Sequence, residues 1–167
     1  MIIVVMGVSG CGKSTIGKSL AEAWGWDFQE GDALHPQANV DKMIAGIPLD
    51  DDDRWPWLDR IAYWITYEES HARQGVVTCS ALKRSYRDRL CRAGDGVRFA
   101  YIHVSRGELE RRIARRAHFM PASLLDSQLQ TLELPAHDEA ALTVSGEASI
   151  DVMTAEVCGW LELKSAR

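Results

Sequence analysis

The 167-residue sequence contains no uninterrupted apolar run near the ~18 residues that a membrane-spanning helix needs, so none is expected. Its four cysteines, Cys11, Cys79, Cys91 and Cys158, form no C-x-x-C pair. That spacing argues against a zinc site, a disulfide framework or a thioredoxin-like pair. Reduced thiols in a cytoplasmic protein are expected instead. Positive charge is in the minority, with 19 Lys and Arg against 24 Asp and Glu and a net charge of −5. This balance argues against a general nucleic-acid surface and leads us to expect no nucleic-acid partner. No repeat, low-complexity tract or linker interrupts the chain, and 46% hydrophobic residues is ordinary for one globular domain. An apolar strand follows the first Met without a charged leader, so no targeting segment and no membrane partner are expected.

What is present begins with the run Ile2-Ile3-Val4-Val5-Met6, short and rich in β-branched residues, which reads as a buried parallel strand. GVSGCGKST follows, comprising Gly7, Val8, Ser9, Gly10, Cys11, Gly12, Lys13, Ser14 and Thr15. It fits the phosphate-cradle pattern G-x-x-x-x-G-K-[ST] in its required setting, after a strand and before a helix. The glycines let the backbone approach anionic oxygens, and backbone N–H groups at the helix start point at phosphate. Lys13 can reach the terminal phosphates, and Ser14 can ligate Mg2+. The expected ligand is ATP or GTP. The base-reading N-K-x-D motif of GTPases is missing, and motor or AAA-type ATPases need far more chain, so a small-molecule kinase is the economical reading.

The rest of the chain alternates strands and helices. Helices are expected at 13–24, 37–46, 54–73, 83–93, 107–117, 122–130 and 153–164, and strands at 26–30, 76–80, 99–104 and 148–152. Pro56 then falls in the first turn of its helix, with the acidic run at 50–53 at its positive end. The fold expected is α/β, with parallel strands joined by helical crossovers and a sheet covered on both faces. Ligands on such sheets sit at the carboxyl ends of the strands, which gathers Gly7 onward, Asp32 and Ser80 around one crevice.

Phosphoryl transfer to a hydroxyl needs position, charge neutralisation and a proton acceptor. Asp32, just past the second strand in EGDALHP, can hydrogen-bond an acceptor hydroxyl or serve as a turn residue. Glu30 points the same way along the strand and can support magnesium-bound water, or it is a solvated strand end. His35-Pro36 is a ligand contact or a helix entry.

At this point the chain resembles the gluconate kinase family, often called thermoresistant gluconokinases. The resemblance is carried by GVSGCGKST at 7–15, GDALHP at 31–36, Asn39, Lys42-Met43, Gly46, PLDDDDRWPWL at 48–58 and CSALKRSYRD at 79–88. HFM-P at 118–121 and LLDSQLQTLELP at 124–135 complete it. It implies ATP-dependent phosphorylation of D-gluconate to 6-phosphogluconate, feeding the pentose phosphate or Entner-Doudoroff route. It also implies the adenylate and shikimate kinase fold, a P-loop domain with five parallel strands. That domain carries a substrate-binding helical region, 35–73 here, and a lid with its following segment, 107–135. Related enzymes suggest a homodimer. Asp32 matches the carboxylate facing the acceptor hydroxyl. Cys11 stands where the family often has Ser, Asp50 where Asn is usual, and Ala117 where the lid usually has Gly.

A pocket for gluconate needs a cation for its carboxylate and polar groups for its hydroxyls. The motif match favours Arg54 and Lys83, and Lys42, His35 and Gln128 are further candidates. Arg84, Arg89 and Arg92 read as a solvated helix face. Asp51 and Asp53 bind hydroxyls or cap the long helix and hold Arg54. Trp55, Trp57 and Trp64 read as core or hinge packing, because an acyclic substrate offers no flat face to stack on. In the lid, Arg111 and Arg115 share one helix face and are expected at the nucleotide, Arg115 as a catalytic charge; Arg112 and Arg116 are expected in solvent. His118 contacts gluconate or phosphate, or serves as a hinge.

Overall fold

Ile2–Met6 (β1) is buried end to end. Side chains of a strand alternate faces, so a strand apolar at every position needs cover on both sides and belongs mid-sheet. The computed structural model, which describes residues 1–115 and 122–165, places it there. Gly75–Cys79 (β3) pairs parallel to β1 on one side and Val97–His103 (β4) on the other. The short Asp27–Gln29 (β2) joins β3, and Ala141–Ser145 (β5) joins β4. The result is five parallel strands in the order β2-β3-β1-β4-β5.

Helices cover both faces. Ile3 and Val5 face a core built with Ile16 and Leu20 of Lys13–Trp24 (α1), Leu109 of Arg106–Ala114 (α5), and Met153 and Val157 of Ile150–Ser165 (α7). Ile2, Val4 and Met6 face the other core, with Trp57, Leu58, Ile61 and Ile65 of Asp51–Ser70 (α3) and Tyr86 and Leu90 of Arg84–Cys91 (α4). Gln37–Ile44 (α2) precedes α3, and Ala122–Thr131 (α6) precedes β5.

Two sequence expectations need correction. The fifth strand is Ala141–Ser145, not 148–152. Val144 is fully buried in β5, whereas Ile150 and Val152, which suggested a strand, are 42% and 56% exposed on the first turn of α7. Ser149 opens that turn, its carbonyl accepting from Met153 N–H and its hydroxyl from Val152 N–H. The long helix also starts at Asp51, three residues before the expected 54. Asp50 Oδ1 accepts from Asp53 N–H at 2.9 Å and Asp53 Oδ2 from Asp50 N–H at 3.1 Å, a capping box that satisfies two helix-end donors. Pro56 therefore lies in the second turn, on the exposed side, and leaves one helix carbonyl to water.

Register sets the site. Met6 lies beside Cys79 and Tyr101, so β1, β3 and β4 reach the same edge of the sheet together. Gly7 N–H then donates to Ser80 O at 3.3 Å, tying the glycine loop to the exit of β3.

Candidate active site

The loop between β1 and α1 turns through Gly7, Gly10 and Gly12 at φ of 142°, 87° and 104°. L side chains avoid these values, which is why glycine recurs there. Lys13 is the first residue of α1, and its Nζ donates to Val8 O at 3.1 Å, folded over the loop it serves. Ser14 and Thr15 stand exposed on the same turn, and Cys11 is buried beneath the loop. Ser9 N–H donates to Gln128 Oε1 of α6 at 2.6 Å, so α6 touches the cradle directly.

The chain leaves β2 through the short 3-10 turn Gly31–Leu34, pressed against β3. Gly31 N–H donates to Thr78 Oγ1 at 3.0 Å. A Cβ on Gly31 would lie 1.8 Å from Thr78 O, so no side chain fits there. Thr78 in turn donates to the Glu30 carboxylate, turning one Glu30 oxygen to the sheet rather than to a metal-bound water. Next to this anchored glycine, Asp32 is 74% exposed and lines the cavity.

His35 Nε2 lies 4.0 Å from Asp32 Oδ1. Its ring stacks on Trp57, with centroids 4.2 Å apart and planes 13° apart. Trp57 Nε1–H donates to Gly31 O at 2.8 Å, so this tryptophan serves as packing, as expected. Arg54 is 6% exposed and donates to Tyr86 Oη at 3.2 Å. The Tyr86 hydroxyl donates to Asp51. Lys13, Asp32, His35, Arg54 and Gln128 all line one cavity of about 410 Å³, together with the apolar Met43, Ile44, Ile47, Leu49 and Leu124.

Lys42 and Lys83 are placed differently from expectation. Neither lines the cavity, and each is gripped by an aspartate of the acidic run. Lys42 Nζ reaches both Asp53 oxygens at 2.6 and 2.7 Å, and Lys83 Nζ both Asp51 oxygens at 2.7 and 2.8 Å. These hydrogen bonds raise both lysine pKa values. They hold Asp53 low, and Lys83 with Tyr86 holds Asp51 low. The motif thus uses Asp50 and Asp53 as caps and Asp51 and Asp53 as ion-pair partners.

In α5, Arg111 is 68% exposed and pairs with Glu108 at 2.8 Å, and Arg115 is exposed at the helix end. Arg112, expected in solvent, is instead partly buried. It donates to Glu108 at 2.8 Å, to Gly146 O at 2.8 Å and to Cys11 O at 3.3 Å, strapping the last turn of α5 to the cradle. A salt bridge to Glu108 was visible as an i, i+4 pair; the two carbonyls were not. Asn39, noted in the sequence only as a motif residue, is buried beside His35. Arg116, Ala117 and His118 lie outside the described residues.

Among the described residues no group of three or more His, Cys, Asp or Glu side chains could hold a metal ion. The Ser14 hydroxyl at the phosphate cradle is a hard oxygen donor. That suits Mg2+, which is usually bound through one or two protein oxygens together with substrate phosphates and water.

A family model described as an AAA domain matches residues 2–135. A gluconokinase of Gluconobacter oxydans is 53% identical over 158 residues, covering 93% of this chain and 88% of that protein. The crystal structure of a gluconokinase from Sinorhizobium meliloti superposes with a TM-score of 0.87 at 48% identity, covering 96% of this chain and 91% of that one. Shikimate kinase from Aquifex aeolicus, at 15% identity and a TM-score of 0.68 over 99% of this chain and 98% of that one, shares the fold.

Proposed function

This chain belongs to the gluconokinase family, and we propose from that premise that it transfers the γ-phosphoryl group of ATP to a hydroxyl of D-gluconate. One observation carries the reading: the cradle lysine Lys13, the carboxylate Asp32 and the buried cation Arg54 line a single cavity. A kinase for a sugar acid needs a group for the phosphates, one for the hydroxyl proton and one for the acid. The cavity supplies one of each.

In this reading residues 7–15 hold the ATP phosphates through backbone N–H groups and Lys13. Ser14 would hold Mg2+, which when bound neutralises phosphate charge. Asp32 accepts the hydroxyl proton as the oxygen attacks. Arg54 receives the substrate carboxylate, and His35 and Gln128 bind hydroxyls. Arg111 contacts the nucleotide, and Arg115 neutralises charge on the phosphoryl group in flight, a role worth about 10³–10⁵ in rate in related chemistry. His118 joins the substrate contacts from the lid. In this reading 35–73 is the substrate-binding helical region and 107–135 the lid with its following segment, and the enzyme works in the cytoplasm as a homodimer. The cysteines among the described residues are free, and no described helix is long and apolar enough to cross a membrane.

The test is ADP formation by the purified protein with Mg-ATP, with and without D-gluconate, beside shikimate, AMP and an epimeric sugar acid. Turnover confined to gluconate is expected. Turnover on another acceptor, or release of ADP indifferent to gluconate, would overturn the reading.

A further inference from the structure

Asn39 is 3% exposed, and its side-chain nitrogen meets two neighbours. Nδ2 lies 2.7 Å from the backbone carbonyl oxygen of Asp53 and 3.2 Å from His35 Nδ1. A backbone carbonyl only accepts, so the amide nitrogen, not its oxygen, must face Asp53. The amide orientation is thereby fixed. Its second hydrogen turns to His35 Nδ1, which has to accept. A ring nitrogen that accepts carries no proton, so the proton of the neutral imidazole sits on Nε2.

The rest of the ring's surroundings agree. Stacking on Trp57 sets its plane, and Trp57 is itself held by Gly31. The His35 side chain is 4% exposed, and its Nε2 lies on the Asp32 side, 4.0 Å from Oδ1. Burial pushes the imidazole pKa below its usual value, against the pull of Asp32 and with the help of Arg54 and Arg60. Tautomer, plane and direction are all determined before any substrate arrives.

We propose that Asn39 is a positioning residue that locks His35 as the Nε2–H tautomer, and that His35 uses this N–H to donate to the acceptor hydroxyl held by Asp32. The consequence is a division of roles. The hydroxyl gives its one proton to Asp32 and accepts from His35 on one lone pair, which leaves the other aimed at phosphorus. As the new O–P bond forms and the bond to the departing ADP oxygen breaks, the hydroxyl proton passes to Asp32. His35 cannot take it, because its free lone pair is occupied by Asn39. An acceptor with no hydroxyl at this point has nothing to attack phosphorus and leaves the His35 N–H without its partner. The donation to substrate rests on the gluconokinase reading; the tautomer lock does not.

The test is long-range 1H–15N correlation of the histidine side chains in the 15N-labelled protein. The sequence has five histidines, so His35 is assigned by its loss in His35→Gln. The neutral Nε2–H pattern is expected for His35 at about neutral pH, where a free imidazole is also mostly neutral but mixes both tautomers. In Asn39→Ala that pattern should give way to a mixture. Its kcat/KM for gluconate should fall roughly tenfold while the KM for ATP holds, the loss of about one hydrogen bond in the transition state. His35→Gln, whose amide nitrogen replaces the Nε2–H donor, should retain more activity than His35→Phe. An Nδ1–H or doubly protonated His35 in the wild-type protein, or a fully active His35→Phe, would overturn the proposal. If the Nε2–H pattern holds and gluconate is not turned over, the gluconokinase reading fails while the lock stands.

Discussion

Replacing Arg87 by Met tests how the site is held rather than what it does. Arg87 is 1% exposed, and its guanidinium grips both oxygens of Glu139, which is itself 7% exposed. It also donates to the carbonyls of Ala81, Leu82 and Glu133. One side chain thus clamps α4 and the exit of β3 to the connection between α6 and β5, and α6 carries Gln128 to the cradle. Methionine fills much of the volume but strands a carboxylate with no cation. Breaking a buried pair in this way costs about 3–5 kcal/mol. Glu139 keeps the Ala136 N–H at 2.8 Å and a small edge to water, so the lower end, about 3 kcal/mol, applies. For a chain of this size that lowers Tm by about 6–12 °C. Thermal unfolding followed by the fluorescence of the six tryptophans measures it. Burial pushes the Glu139 pKa up, but Arg87 and the Ala136 N–H pull harder and leave it below the usual value. A depressed carboxylate stabilises above its unfolded pKa and loses that contribution as pH falls through the folded one. Wild type and Arg87→Met should therefore draw closer in acid, the gap that remains coming from the three carbonyls left without their donor. A loss under about 1 kcal/mol, the range of an exposed pair, or a gap that does not narrow in acid, would overturn this account.

Asp32→Asn should leave ATP binding by fluorescence titration unchanged and lower kcat by about 10²–10⁴, the usual range for a lost general base; near-normal turnover would remove Asp32 from that role. Gln128→Leu breaks the bond to Ser9 N–H and should alter nucleotide affinity by calorimetry with little change in Tm, whereas an unchanged affinity would make the contact incidental. Arg112→Ala frees the carbonyls of Cys11 and Gly146 and should raise the KM for ATP more than that for gluconate; the reverse order would place Arg112 on the acceptor side.

β1, the glycine loop and α1 were legible in the sequence because an all-apolar run, then positively twisted glycines, then Lys-Ser have one common structural solution. β5 was not. ALTVS and ASIDV are both short and apolar at alternate positions, and only packing against β4 separates them. In the site, Asp32, His35, Arg54 and Gln128 were named from motifs and do meet in one cavity. Lys42 and Lys83 were named by the same logic and do not. A lysine's sequence neighbourhood reveals its charge but not the carboxylate, 11 or 32 residues away, that neutralises it. Arg112 and Asn39 were passed over for the complementary reason. Beside Glu108 and His35, the groups that tie them to distant segments are backbone carbonyls, which every residue carries and no sequence pattern marks.

The four aspartates at the start of α3 have one more effect, seen when the positive charges are added up. Lys42 and Lys83 are drawn to Asp53 and Asp51 outside the cavity, and Lys13 and Arg54 are the Lys or Arg side chains that line it among the described residues. On the proposed assignment Lys13 serves the nucleotide, which leaves Arg54, among the described residues, to separate an acid from a neutral polyol. The acidic run insulates the pocket from its own surroundings. On that assignment acceptor choice is concentrated at position 54, where evolution or an engineer could change it without touching the phosphate cradle.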